Sequence, residues 1–236
     1  IALAIGDQRG ISAEHWQVFR RTGITHLVSI SGLHVTMFAA LCGGIVNLLW
    51  RRSTRLMQWV AAQQAAIVAG WCCALLYTAL AGFEVPAQRT LYMLSVVVVA
   101  LCSGRNFGAS RTLLLALLAV LLVDPFAVLA TGFWLSFGAV AILFFVGTAR
   151  LGPPLRWRER LRHWGVTQWA VTLGSLPLLL LFFQQISLVS PLANALAIPL
   201  VSFVVTPLAL LYGVLPWPPL LVFDHWILAQ LMRVLE

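Results

Sequence analysis

From residue 26 onward the chain is a succession of long apolar runs, separated by short breaks that carry arginine, glycine or proline. Eight can be marked, at roughly 26–50, 57–82, 89–103, 110–123, 126–147, 166–186, 190–215 and 219–235. A helix of about 20 apolar residues crosses a bilayer, and most of the runs have that length. The third and fourth are short, and are expected to tilt little, to end within the protein or to pair as a re-entrant element. No alternation of apolar and polar positions suggests a membrane β-barrel. The pattern predicts an all-α, polytopic transmembrane helical bundle over 26–236. It is preceded by an extracytoplasmic interfacial segment, 1–25. In that segment Ser12 is placed to cap a short helix running to Thr22, and Gly23 to stop it. Trp16 and Phe19 on one flank and Arg20 and Arg21 at the end suit the membrane interface.

Composition strengthens this reading. The chain has 236 residues, 61% hydrophobic and 9% charged, whereas soluble domains are about a quarter charged. Too little polar sequence remains to cover a soluble surface. The formal charge is +8, and all fifteen basic residues are arginines, whose planar fork suits phosphate. If all eight runs cross, the loops alternate in character. One set holds Arg51, Arg52 and Arg55, then Arg105 and Arg111, then Arg150, Arg156, Arg158, Arg160 and Arg162; the other holds Glu84, Arg89 and Asp124. The positive-inside rule places the first set in the cytoplasm and the N-terminal segment outside. Cys42, Cys72, Cys73 and Cys102 lie in apolar runs without the spacing of a metal site, and read as small core residues. No secretory signal opens the chain. It begins at Ile1 without a methionine, as expected of a piece of a longer protein.

Candidate chemistry concentrates in RTGITHLVSISGLHVTMF, Arg21–Phe38, where polar groups ride into the first apolar run. Read as a helix, at about 100° per residue, the segment puts Ser31 and His34 on one side and His26, Ser29 and Thr36 on another. Unpaired polar atoms in hydrocarbon cost several kcal/mol, on the order of a lost desolvated hydrogen bond. The segment therefore belongs inside a bundle or along a wet path. His26 and His34 lack a third ligand at metal spacing, and read as structural or proton-handling groups. Ser31 lacks the glycine two residues earlier that a nucleophile elbow needs.

Glu84 and Arg89 flank the GFEVPAQR turn, and Asp124 precedes Pro125. An ion-paired capping ring is one reading, favoured for Asp124; the mouth of a path is the other for Glu84 and Arg89. Phe182 and Phe183 either anchor in the interface or stack bases, worth roughly 1–3 kcal/mol per base. The arginines of 150–162 around Trp157 suit nucleic acid or anionic lipid, and topology alone explains them equally well. Pro191, Pro199 and Pro207 recur every eight residues, as in broken helices that line cavities and in helices kinked for structure alone. Gly132 and Ser136 read as a close helix–helix contact.

Four stretches carry a family resemblance: FRRTGITHLVSISGLHV (19–35), AGFEVPAQRTLYM (81–93), DPFAVLATGFWLSFGAVA (124–141) and TLGSLPLLLLFFQQISLVSPLANALAIPLV (172–201). In this order they resemble the competence domain of ComEC-type DNA-uptake proteins, and HLxxISGLH is the most specific part. The resemblance implies a channel in the bacterial cytoplasmic (inner) membrane that admits one DNA strand during natural transformation. It implies no chemistry on the strand, no cofactor and no metal. Pathway or gating candidates are then His26, Ser31, His34, Glu84, Arg89 and Asp124; phosphate-contact candidates are Arg20, Arg21 and Arg89; base-stacking candidates are Phe182 and Phe183. Implied partners are single-stranded DNA, membrane lipid, an OB-like and a metallo-β-lactamase-like domain of the full-length protein, and other uptake machinery. Neither extra domain is visible in this sequence. Two alternatives stand beside the channel. One is a membrane-embedded metal- or serine-dependent hydrolase using His26, Ser31 and His34. The other is a small-solute transporter, which calls for inverted repeats that are not evident.

Overall fold

The computed structural model describes residues 6, 8–104, 108–148, 157–183 and 189–235, and contains helices with no strand among them. The short helix α1 (Ala13–Thr22) forms as its sequence predicts. The Ser12 side chain accepts from the His15 amide, and Gly23 closes the helix at φ +71°, a left-handed conformation that glycine adopts without steric cost.

Each apolar run becomes helical, but the boundaries move. The first run is broken: Thr25–Leu27 forms a 3₁₀ turn, and the long helix α2 (Gly32–Trp50) starts only after Ser31. Ser31 and His34 therefore do not share the face of one continuous helix from residue 26. The second run divides into α3 (Thr54–Trp59) and α4 (Ala62–Leu80) at an extended Val60. The third is longer than its apolar core suggests. Glu84 is its N-cap and Pro86 stands in the first turn, where a missing N–H costs nothing, so α5 (Val85–Cys102) reaches 18 residues. By contrast, α6 (Ala109–Val123) is short, at 15 residues. The 3₁₀ turn Pro125–Leu129 leads into α7 (Thr131–Thr148). The charged residues before the sixth run are themselves helical, giving α8 (Trp157–Phe183), in which Arg158 stacks on Trp157. Arg105, Arg150, Arg156, Gln184 and Gln185 lie outside the described residues.

The proline-rich run does not unwind. Helix α9 (Ser190–Leu200) passes through a π-helical turn, Val201–Val205, into α10 (Thr206–Val214), and the Thr206 hydroxyl donates to the Val201 carbonyl at 2.9 Å. One side of the turn faces the protein interior, with Val201, Ser202, Val205 and Thr206 buried, while Phe203 points outward. Helix α11 (Pro218–Leu235) completes the set.

Five helical stretches are long and apolar enough to cross a membrane: α2, α4, α5, nearly all of α8, and Ser190–Gly213. Large apolar side chains such as Leu48 and Leu181 on these helices, and Leu122 and Phe145 on the shorter apolar helices α6 and α7, stand exposed, as a lipid-facing surface requires. The chain is an all-α polytopic membrane bundle.

Its tightest seam joins α2 to α4. A methyl on Gly43 would stand 2.8 Å from the Ala66 carbonyl oxygen, and one on Gly70 2.7 Å from that of Ala39. Ala39/Gly43 and Ala66/Gly70 are thus matched small-xxx-small pairs that let two backbones touch. Around this seam packs a core of Ile30, Val35, Ala74, Tyr77, Ala87 and Leu91. A second core joins Ile24 and Leu27 to Ala193, Ala197, Val201 and Leu231, tying the segment before α2 to α9 and α11. A third joins α6 to α7 through Ala116, Val120, Phe133 and Phe137.

Candidate functional site

Several helix ends that carry sequence candidates meet at one end of the bundle because of how the chain turns. Ser31 opens α2, the Ala81–Glu84 turn joins α4 to α5, and Asp124 begins the link from α6 to α7. The first turn of α2 lies directly on α5, where a side chain on Gly32 would collide with the Thr90 hydroxyl. Arg89, next to Thr90, lays its guanidinium on the first turn of α7: Nη2 and Nη1 are 3.0 and 3.4 Å from where a Gly132 methyl would be. The close neighbour of Gly132 is thus an arginine side chain. Backbone-to-backbone contacts occur at Gly43 and Gly70.

Ser31 and His34 form a capping box. The serine hydroxyl accepts from the His34 amide at 3.4 Å, and His34 Nδ1 accepts from the Ser31 amide at 3.3 Å. Because Nδ1 accepts, the neutral ring carries its proton on Nε2. That atom is buried without a partner, in a residue 0% exposed. Thr78 Oγ1 is orphaned in the same way. Thr78 lies eight residues beyond Gly70 and Val35 eight before Gly43, so the antiparallel register puts Thr78 at the level of Val35 and His34. Buried orphans of this kind call for a water or a ligand group. Thr36 satisfies itself on the Gly32 and Leu33 carbonyls.

The α4–α5 turn is tightly specified. Phe83 has φ +55°, its amide donates to the Thr78 carbonyl at 3.0 Å, and Gln88 donates to the Phe83 carbonyl at 2.6 Å. A non-glycine residue in the left-handed region carries strain, held here by those two bonds. Glu84 makes no capping bond with its side chain. Its carboxylate instead approaches Gly6, where an added methyl would lie 2.9 Å from Oε1. Among the described residues Glu84 and Arg89 form no ion pair. Arg89 is 7% exposed, and its Nε has no partner.

The other candidates stand apart from this cluster. Asp124 is exposed and accepts from the Phe126 amide at 3.0 Å, a capping role. Arg20 and Arg21 are exposed in the last turn of α1. Phe182 is 36% exposed near the end of α8, and the side chain of Phe183 lies outside those described. His26, before the first spanning helix, is exposed yet has many protein atoms crowded around it. That crowding lowers its pKa below the ordinary histidine value, against the nearby Gly23 backbone, which raises it. No group of three or more metal-ligating side chains occurs among the described residues.

Residues 3–236 match the family model described as "Competence protein". The chain belongs to the competence protein family. It is 47% identical to Competence protein ComA of Neisseria gonorrhoeae over 93% of this chain and 30% of that protein. It is 35% identical to the uncharacterized protein YcaI of Escherichia coli (strain K12), over 98% of this chain and 31% of that one. Recombination protein 2 of Haemophilus influenzae is 32% identical over 89% of this chain and 27% of its own length. The chain thus spans under a third of these relatives. No solved structure matches it.

Proposed function

We propose that this family member is the membrane domain of a DNA-uptake channel, passing one strand across the bacterial inner membrane without chemistry on it. The observation that carries the reading, beside family membership, is that the mutually packed helices α2, α4 and α5 each bury a polar atom without a partner. Among the described residues His34 Nε2, Thr78 Oγ1 and Arg89 Nε have no hydrogen-bond partner, a costly arrangement in a dry core. A wet path that accepts a polar chain removes that cost. In this reading residues 1–25 lie outside the membrane, and the OB-like and metallo-β-lactamase-like domains belong to the full-length protein.

The hydrolase reading has less support. Ser31 Oγ and His34 Nδ1 are 3.3 Å apart, but both are engaged in the cap. The third group that would orient the histidine is missing from Nε2. The test is removal of the gene from its host, followed by complementation with the full-length protein. Expected is loss and recovery of labelled DNA that becomes nuclease-resistant inside the cell. Undiminished internalisation in the deletion strain would overturn the proposal.

A further inference from the structure

We infer that Arg89 and the first turn of α7 form a binding site for a single phosphodiester group; the inference rests on the DNA-path reading for its physiological ligand, not for its chemistry. Three observations converge. The guanidinium is buried, with Nε unpartnered and no carboxylate paired to it among the described residues. It lies against the N-terminal turn of an 18-residue helix. That end of a helix carries partial positive charge, so a cation there is unfavourable unless an anion joins it. Finally, α7 begins after Ala130, which has no side-chain acceptor. The Thr131 and Gly132 amides have no hydrogen-bond acceptor among the described residues, the next amide, of Phe133, donating to the Ala130 carbonyl. Free amides beside an arginine fork are the donor set that holds a tetrahedral oxyanion.

Among the described residues, neither Glu84 nor Asp124 supplies the missing charge. Glu84 is turned toward Gly6, and Asp124 is engaged with the Phe126 amide. No acid among the described residues pairs with Arg89, and the ligand of the proposed site is external. Gly132 lets the guanidinium lie this close: a methyl there would press on Nη2 at 3.0 Å, and a large side chain such as leucine would displace it. A phosphodiester can come from a DNA strand or from a phospholipid headgroup, and both present the same two non-bridging oxygens.

The test uses the chain in lipid nanodiscs, with a fluorescent oligothymidylate, dimethyl phosphate and phosphatidylglycerol as probes. Thermal unfolding of every variant controls for folding. Arg89→Gln is expected to weaken oligonucleotide binding at least tenfold and to lower the slope of log affinity against log salt by about one. Arg89→Lys should keep part of the affinity. Gly132→Leu should reproduce the loss with the arginine still present, and dimethyl phosphate should compete in the wild type only. If oligonucleotide binding is unchanged in Arg89→Gln but phosphatidylglycerol retention in native mass spectra is lost, the site stands with lipid as its occupant. The DNA-path reading then loses this support. Unaltered affinity, salt slope and lipid retention in both Arg89→Gln and Gly132→Leu would overturn the site.

Discussion

Replacing Gly43 by alanine puts a methyl 2.8 Å from the Ala66 carbonyl oxygen, well inside the 3.4 Å of ordinary contact. The obstacle is backbone, so α2 and α4 must part or slide. Overpacking of this kind costs roughly 1–3 kcal/mol, a change of roughly 5–150-fold in the folded-to-unfolded ratio. Gly44 is the internal control, with nothing within 4 Å of an added methyl. Both substitutions gain about 0.5–1 kcal/mol of helix propensity, so the difference between them isolates the clash. The assay is reversible unfolding in bicelles, followed by the fluorescence of Trp71, which donates to Ser95 across the α4–α5 seam at 2.8 Å. Gly44→Ala should be neutral or stabilising, and Gly43→Ala and Gly70→Ala destabilising relative to it by the amount above. Equal midpoints for Gly43→Ala and Gly44→Ala would refute the crossing geometry.

Other expectations follow from single features. Ser31→Ala should cost about 1 kcal/mol and Ser31→Gly only a few tenths, the ordering of helix caps; abolished uptake in a fully stable Ser31→Gly protein would contradict the capping role. In a cysteine-free variant, a cysteine at position 9 should react with an impermeant thiol reagent on intact cells and one at position 157 should not. The reverse pattern overturns the orientation. His26 should titrate below 6.5 by NMR, since crowding disfavours its charged form; a value at or above 6.5 would show that the ring is fully solvated.

Local rules carried α1, because Ser12 and Gly23 act within a few residues of themselves. They failed at Ser31 for a specific reason. The partner in its capping box is His34 rather than the glutamate or glutamine of the usual signature, and the apolar run continues across the break without a change of composition. The resemblance in HLxxISGLH pointed to these residues but not to their geometry. The α2–α4 seam was open to reading in Ala39/Gly43 and Ala66/Gly70. Gly132 offered the same kind of cue, and there the neighbour is a side chain from a helix more than 40 residues earlier. Thr78 and Ser202 gave no signal, because a lone hydroxyl in an apolar run becomes notable only when packing closes around it. The three prolines marked a departure from α-helix near residue 200, but not that Thr206 would stabilise a π turn instead of an opening.

In the proposed channel a DNA strand passes the α2–α5–α7 end of this bundle. This path is tested most directly by photo-crosslinking in the full-length protein during uptake of labelled DNA. Benzoylphenylalanine would replace Phe38, one turn from His34; Phe133, beside Gly132; and Phe145, which is 76% exposed on the lipid-facing surface. Strand adducts are expected at 38 and 133 and none at 145. Adducts at 145 alone, or none at 38 and 133 while uptake proceeds normally, would contradict that path.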